Sequence, residues 1–254
     1  MRSLLILAPL SALVACAASS DARGVDEYDA VENRADAKME FTDEGEPADN
    51  DGTTEPARPA DADVQCTAIA NEDLLLSVEG GVLIIEADAG VDASSCTVRV
   101  PAWWMRSIVV QGNGEVEAEG TFRHLKTIDV RGNGSVHLNR VETDELTVEV
   151  SGNGDVQLDG LYTDSATFEL GGNGDTTVVG SAGYASLTLG GDGNFRGADF
   201  VVEEMDATIS GSGEAELNVT VSATISVSGS GHVLVEGGGD VVSDITGSGS
   251  IDIL

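Results

Sequence analysis

Three carboxylate side chains recur at one regular spacing in the second half of the chain. Asp129, Glu149 and Glu169 are 20 residues apart, each between apolar neighbours in an alternating run. Carboxylate oxygens are preferred ligands of Ca²⁺. Stacked at a strand spacing of about 4.8 Å, each neighbouring pair would repel by about 0.9 kcal/mol even in bulk water. The spacing predicts a weak Ca²⁺ site, and a solvated acidic stripe is the alternative.

The sequence contains no pattern of residues that indicates catalysis. His124, His137 and His232 lie too far apart in the repeat to converge on one site. The sequence contains no G-x-S-x-G, H-E-x-x-H, C-x-x-C, P-loop or G-x-G-x-x-G motif. We therefore expect neither an enzyme nor a further cofactor. A polysaccharide-cleaving β-helix enzyme is a remote alternative, since such lyases need a basic residue and basic residues are sparse on the repeats.

The charge balance excludes another class of function. The 254 residues include 12 Lys and Arg against 45 Asp and Glu, so the formal net charge is 12 − 45 = −33. Such a charge repels nucleic acid and anionic lipid surfaces. Hydrophobic residues make up 41% of the chain, which is enough to bury a core. We expect a folded, acidic protein that does not bind nucleic acid.

The first residues have the pattern of an export signal. A short basic start precedes an apolar run over residues 4–14, which is too short to span a bilayer. The sequence Leu-Val-Ala-Cys at residues 13–16 resembles the lipobox of bacterial lipoproteins. That resemblance implies a signal peptide at 1–15, a lipid on Cys16 as the membrane anchor and a tether at 16–24. An ordinary secretory signal cut after Ala17 is the alternative.

The other two cysteines can pair with each other. In an oxidising compartment, a Cys66–Cys96 disulfide would close a loop of about 30 residues and stabilise the fold by about 3 kcal/mol. Two free thiols are the alternative. This pairing leaves Cys16 as the odd cysteine, which is available for a lipid.

A repeat of about 20 residues organises the second half of the chain. Gly-x-Gly recurs at intervals of 20, 20, 20, 19, 20, 18 and 18 residues, and an alternating apolar and polar run lies on each side of it. Such units bury their apolar faces only by stacking. The repeat predicts an all-β fold, a parallel β-helix (β-solenoid) of about eight coils, with regular coils over residues 105–254. The Gly-x-Gly units begin at Gly112, Gly132, Gly152, Gly172, Gly191, Gly211, Gly229 and Gly247.

The turns between the strands have features of their own. Their glycines mark either a positive φ or a close approach to the next coil. The first four turns have Asn between the glycines, and stacked amides can form a hydrogen-bonded ladder; solvated turn tips are the alternative. The predicted ladder consists of Asn113, Asn133, Asn153 and Asn173.

The region before the repeats is more varied. Residues 43–63 are rich in acids and proline, which is typical of a flexible, solvated loop. Residues 64–104 contain three short strand patterns and are expected to start and cap the solenoid. The pair Trp103 and Trp104 is interpreted as filler of this cap, with a sugar-stacking platform as the alternative.

The order of these segments resembles a bacterial family. A Tyr-Asp-x-Val start at residues 28–31, an E-G-G-V-L-I-I run at 79–85, a Val-x-Val-Pro segment at 98–101 and serial Gly-Asn-Gly or Gly-Ser-Gly units are similar to the family "putative auto-transporter adhesin, head GIN domain". The resemblance implies one β-solenoid domain over residues 25–254 in a secreted or envelope-anchored protein. The acidic loop leaves open whether the first coil of the family is intact in this chain.

Two functions follow from these expectations. One is a non-enzymatic, adhesin-like rod at the cell envelope, as an outer-membrane lipoprotein or a secreted protein, which contacts an unidentified protein or glycan. The other is a periplasmic structural or assembly module. The strand pattern at residues 250–254 would leave an open edge, which predicts homo-oligomers through the solenoid ends.

Overall fold

The fold is all-β. The computed structural model describes residues 14–15, 21–24, 30–35, 37–42, 61–66, 74–79, 82–87, 93–102 and 104–254. These residues form a 19-stranded sheet and one 3₁₀ turn at Ala93–Ser95. The strands are β1 (Val14–Ala15), β2 (Asp21–Gly24), β3 (Ala30–Asn33), β4 (Lys38–Thr42), β5 (Asp61–Cys66), β6 (Leu74–Glu79), β7 (Val82–Ala87), β8 (Cys96–Pro101), β9 (Ser107–Val110), β10 (Val116–Phe122), β11 (Thr127–Val130), β12 (Val136–Val150), β13 (Val156–Leu170), β14 (Thr176–Leu189), β15 (Phe195–Ile209), β16 (Glu214–Val227), β17 (His232–Glu236), β18 (Asp240–Ile245) and β19 (Ser250–Ile253).

From β9 onward the strands stack in parallel, which confirms the predicted β-solenoid. Each strand of β12 to β14 pairs residue by residue with the segment 19 or 20 positions further along the chain. The solenoid has about seven turns, where the repeats predicted about eight.

Each regular coil consists of two straight stretches joined by a corner. Strands β12 to β16 are 14 or 15 residues long and run through that corner. Inward side chains from both stretches fill one core, in which the Phe168 ring contacts Phe195 and Phe200 edge-on at centroid distances of 5.0 and 6.0 Å. Full burial of such a side chain stabilises the folded state by about 1.5–3 kcal/mol.

The glycines of the turns are required by close approach. In the described residues, positive φ occurs only at Gly180, Gly237 and Gly238, none of which belongs to a Gly-x-Gly unit. A β-carbon on Gly132 would instead lie 2.0 Å from the carbonyl oxygen of Gly112 in the coil below. The sequence left two explanations for these glycines, a positive φ or a close approach to the next coil. The structure excludes the positive φ and shows the close approach.

One coil of the solenoid lies out of chain order. Strand β3 pairs in parallel with β7 on one side and β9 on the other, and β4 pairs likewise with β8 and β10. Residues 30–42 are thus inserted between the coil of residues 82–101 and the coil of residues 107–122. Their alternating inward side chains Val31, Met39 and Phe41 are buried and join the common core.

Antiparallel strands close the end of the solenoid next to β7 and β8. Strand β6 pairs with β7, β5 with β8 and β2 with β5, all antiparallel. Two segments that the sequence predicted as a tether and as an acidic loop contribute strands here. Residues 21–24 of the expected tether form β2, and residues 61–63 of the expected acidic loop belong to β5, because both segments pair with this edge. The remaining loop residues 43–60, together with Cys16 and Trp103, lie outside the described residues.

At the opposite end the last strands pair on one side. In the described part of the chain, β18 pairs with β16 and β19 with β17, and no further strand covers either of them. Homo-oligomerisation stays a prediction. No helix among the described residues is both long and apolar enough to cross a membrane.

Candidate binding surface

The acidic column expected from the sequence lies along the second stretches of three coils. Asp129 pairs with Glu149 in the strand register, and Glu149 pairs with Glu169. Arg131 changes the charge of this column, because its Nε donates to Oδ2 of Asp129 at 2.8 Å and its Nη2 contacts the same oxygen. These bonds raise the pKa of Arg131. The predicted Ca²⁺ site did not include Arg131, although its position two residues after Asp129 indicates that the two side chains can pair.

The two glutamates of the column line a shallow depression of about 280 Å³ together with Ser151 and Thr188. Within the described ranges, no group of three or more His, Cys, Asp or Glu side chains could hold a metal ion. Arg131 pairs with Asp129 and so reduces the repulsion at one end of the column. The Ca²⁺ site stays a prediction, and nothing in the geometry adds to it.

The four asparagines of the turns form a continuous ladder. Each side-chain Nδ2 donates to the Oδ1 of the asparagine in the coil before it, at 2.9 Å for Asn133, 2.9 Å for Asn153 and 2.8 Å for Asn173. The first acceptor of the ladder is Asn113. The amides thus connect four coils along the outside of the turns, and they bind one another rather than a ligand.

A second ladder, which sequence reasoning missed, lies just after the turns. The carboxylate of Asp155 accepts a hydrogen bond from the backbone N–H of Asp175 at 2.8 Å, and Asp175 accepts from the backbone N–H of Asn194 at 3.0 Å. Asn194 continues the pattern to the N–H of Glu214 at 2.9 Å. The recurrence of Asp or Asn at this position was the available signal. These side chains replace missing backbone partners between coils, so their role is structural.

The three histidines lie apart, as their positions in the repeat predicted. His137 Nε2 contacts Asp159 at 2.7 Å, His232 Nε2 contacts Asp252 at 3.0 Å, and the His124 ring lies 5.3 Å from the ring of Trp104. Trp104 is buried, in agreement with a role as cap filler.

The predicted disulfide is compatible with the strand register. Cys66 in β5 lies directly opposite Cys96 in β8 of an antiparallel pair. Cys96 is buried and disulfide-bonded. The assignment of Cys66 as its partner stays a prediction, which peptide mapping without reduction would test.

Exposed apolar side chains occur at two places among the described residues, the last coil and the corner of the coils before it. We define the corner face as the outward side chains of residues 142–145, 162–165, 181–184, 201–204 and 220–222. Before the last coil, every large hydrophobic side chain that is exposed in the described residues lies on this face. They are Tyr162, Tyr184, Val201 and Val221, with exposed fractions of 45, 37, 41 and 52%.

Neighbouring groups hold the two tyrosine rings of the corner face. The hydroxyl of Tyr184 donates to Oδ2 of Asp206 at 2.9 Å, and this bond, with burial, raises the pKa of Tyr184. The guanidinium carbon of Arg140 lies 5.1 Å from the centroid of the Tyr162 ring. The same guanidinium pairs with Glu142 at 2.5 Å. The corner face therefore presents two anchored aromatic rings among carboxylates and hydroxyls.

Comparisons with known proteins agree with this architecture. A family model described as "putative auto-transporter adhesin, head GIN domain" matches residues 58–239. No curated protein is significantly similar to the chain.

Several solved structures have a similar architecture. A crystal structure of a "putative lipid binding protein" from Parabacteroides distasonis superposes with a TM-score of 0.77 at 20% identity, covering 93% of this chain and 96% of that one. A "putative adhesin" from Bacteroides fragilis has a TM-score of 0.67 at 19% identity, with coverages of 93 and 96%. A "putative adhesin" from Parabacteroides merdae has a TM-score of 0.70 at 16% identity, with coverages of 93 and 95%. At these identities the similarity shows the fold alone.

Proposed function

The chain belongs to the family "putative auto-transporter adhesin, head GIN domain", and on this basis we propose that it is a non-enzymatic, envelope-anchored adhesin that contacts a protein or glycan. The family membership and the adhesin descriptions of two structural relatives support this class. They concern the class of protein and leave its ligand to be identified.

The observation that carries the proposal is the rigid display of outward side chains. Strands β12 to β16 pair in parallel in four successive pairings, and the register is continuous along the second straight stretch of each coil, whereas it shifts near the corner in the last three pairings. The asparagine ladder fixes the turns of four coils. Outward residues of the second stretch are therefore held in straight columns at strand spacing, about 4.8 Å per coil. A rigid surface loses little conformational entropy when it meets a partner.

The lipobox-like sequence at residues 13–16 supports attachment of the rod to a membrane. A lipid on Cys16 would attach the protein to a membrane, with the solenoid on the cell surface or on the periplasmic side. Surface display suits an adhesin, and a periplasmic position suits the alternative of a structural or assembly module.

Protease treatment of intact cells tests the proposal. Peptides from residues 64–254 should be released from whole cells, and mass spectrometry of the amino-terminal peptide should find a diacylglyceryl group on Cys16. A periplasmic protein of the same cells, which must stay intact, is the control. A deletion strain should then adhere less to a surface that the parent strain colonises.

The alternative makes the opposite prediction. If peptides appear only after the outer envelope is broken, adhesion fails as the primary role. The structural role in the periplasm would then be pursued by cross-linking to other envelope proteins.

A further inference from the structure

The corner face differs from the other surfaces of the solenoid in its exposed rings. Acidic side chains occur on all sides of the solenoid, for example Glu117, Glu149 and Glu216 on the two straight stretches. Exposed aromatic side chains do not: in the described residues, Tyr162 and Tyr184 are the exposed ones, and both lie on the corner face. A ligand that selects this face must therefore recognise the rings rather than the charge.

The two rings lie on adjacent coils at a fixed separation. Tyr162 pairs with Ser181 in the register, and Tyr184 pairs with Ser165, so the tyrosines are one coil and three residues apart. Because the strands bend at this corner, the rise of a straight strand gives an upper limit of about 11 Å between their α-carbons. One polysaccharide chain can therefore reach both rings.

The orientation of Tyr184 suits stacking. Its hydroxyl reaches Asp206, which lies in the next coil and two residues beyond the register partner Glu204. The ring must therefore extend across the coils instead of projecting into solvent. Tyr162 is held on another side by Arg140. Anchored rings lose little side-chain entropy when a ligand binds, which favours affinity for a ligand that stacks on them.

The chemistry around the rings indicates which flat ligand fits. Exposed carboxylates of Glu145, Asp164 and Glu204 surround the rings and can accept hydrogen bonds from hydroxyl groups. The net charge of −33 repels anionic polysaccharides. A cationic partner would find carboxylates on every side and would have no reason to select the corner. Uncharged pyranose rings offer C–H faces for stacking and hydroxyls for the carboxylates.

We propose that the corner face binds an uncharged polysaccharide, with Tyr162 and Tyr184 as its stacking residues. This inference rests on the proposed adhesin function and names the ligand class and the site. It accounts for the position of the rings on a rigid corner and for their anchoring by Arg140 and Asp206.

Affinity electrophoresis of the whole chain, as the cells make it, tests the site. The gels contain mannan, dextran, laminarin, xylan or soluble chitin oligomers as uncharged probes, alginate as the anionic probe and poly-L-lysine as the cationic one. At least one uncharged probe should retard the protein, equally at low and high salt. Alginate should not retard it, and the bound probe should gain no reducing ends.

Variants then locate the binding. Tyr162→Ala and Tyr184→Ala should each weaken binding about tenfold, as expected for an aromatic anchor, whereas Tyr184→Phe keeps the ring and most of the affinity. Val242→Ala is the matched control, because Val242 is an exposed apolar residue in β18, away from the corner. Thermal melting and circular dichroism of each variant establish that it is folded.

Several outcomes would overturn the inference. One is that no uncharged probe retards the protein. Another is that folded tyrosine variants are retarded as strongly as the wild type. A third is that the tyrosine substitutions weaken binding to poly-L-lysine and to no other probe. The proposed function fails separately. If tyrosine variants restore adhesion to the deletion strain, the glycan site is wrong and the adhesin function stands. If the protein binds a probe but deletion of its gene leaves adhesion unchanged, the glycan site stands and the adhesin function is wrong.

Discussion

The α-carbon of Gly172 faces the backbone of Gly152 in the coil below, and a β-carbon on Gly172 would lie 1.8 Å from the carbonyl oxygen of Gly152. The residue before it, Gly171, is different: its nearest neighbour would be the carbonyl oxygen of Val150 at 4.0 Å. Other turns have Arg131 and Ser151 at the position of Gly171. Two adjacent glycines thus have unequal roles in one turn.

This difference predicts unequal effects of alanine. Gly172→Ala should lower the free energy of unfolding by about 3 kcal/mol or more, because overpacking against backbone cannot be relieved by a rotamer change. Gly171→Ala should change it by less than about 1 kcal/mol and can stabilise through the unfolded chain. Urea unfolding of both variants measures the contrast. Equal destabilisation by the two substitutions would show that close approach does not explain the turn.

The sequence predicted the regular coils well and the order of the coils poorly. Glycine spacing and two-residue alternation are local patterns, so they are visible without the structure. The inserted coil lacks the pattern, because Ala35 and Ala37 occupy the register of Gly112 and Gly114. Nothing local in residues 30–42 specifies that they stack beside β9 and β10.

The candidate site was predicted less completely, for a similar reason. The asparagine ladder follows from a recurring residue in consecutive turns. The corner face does not recur: Tyr162 and Tyr184 occupy different positions in their coils, so the register alone brings them together. Periodicity identifies columns of like residues, and it does not identify a surface formed by unlike residues.

Asn33 closes the turn of the inserted coil. Its Nδ2 donates to the carbonyl oxygen of Ala37 at 2.8 Å, and its Oδ1 accepts from the N–H of Ala35 at 3.1 Å, while the residue is fully buried. Asn33→Ala should lower the free energy of unfolding by about 2 kcal/mol, since it leaves buried backbone groups without partners. Ser228→Ala, at an exposed turn position, is a control of expected small effect. An unfolding curve of Asn33→Ala that overlays the wild-type curve would contradict this role.

Thr176 has a buried hydroxyl in an otherwise apolar column. Thr176 lies between Val156 and Phe195, is fully buried, and its Oγ1 has no hydrogen-bond partner in the described structure. Thr176→Val keeps the shape and removes the desolvated hydroxyl, so it should stabilise the protein by about 1 kcal/mol. Thr177→Val, at the adjacent outward position, should be nearly neutral. Comparison of their melting temperatures tests the prediction, and a loss of stability in Thr176→Val would refute it.

Asn153 occupies an inner rung of the asparagine ladder. It donates to Asn133 at 2.9 Å and accepts from Asn173 at 2.8 Å. Asn153→Ala should cost about 1 kcal/mol of unfolding free energy through the two lost hydrogen bonds. Asn153→Asp should cost more at neutral pH, because its carboxylate would face Oδ1 of Asn133. Acidification should recover part of this loss.

The control for the ladder is Ser212→Ala, at the same turn position in a coil beyond it. That substitution should have little effect. If Ser212→Ala and Asn153→Ala are equally destabilised, the ladder contributes nothing beyond the turn itself.

Asp175 links three side-chain contacts to acid stability. Burial alone would raise its pKa, but the hydrogen bond from Arg196 at 2.7 Å and the two bonds from Asn194 at 3.0 and 2.8 Å outweigh burial and lower the pKa below the ordinary value of 3.8. A carboxylate with a lowered folded-state pKa stabilises the fold above its unfolded-state pKa. This contribution is lost as the pH falls through the folded-state pKa.

The pH dependence can be measured as a difference between proteins. The gap in unfolding free energy between wild type and Asp175→Asn should be constant near neutral pH and should close below pH 3.8. Acidification also reduces the repulsion among the many other carboxylates, but it does so equally in wild type and Asp175→Asn. The difference in unfolding free energy between the two proteins therefore cancels this effect. Arg196→Met should move the pKa of Asp175 upward in an NMR titration, whereas Arg123→Met, at a distant coil, should not. A gap that stays open at low pH would mean that the contacts of Asp175 do not depend on its charge.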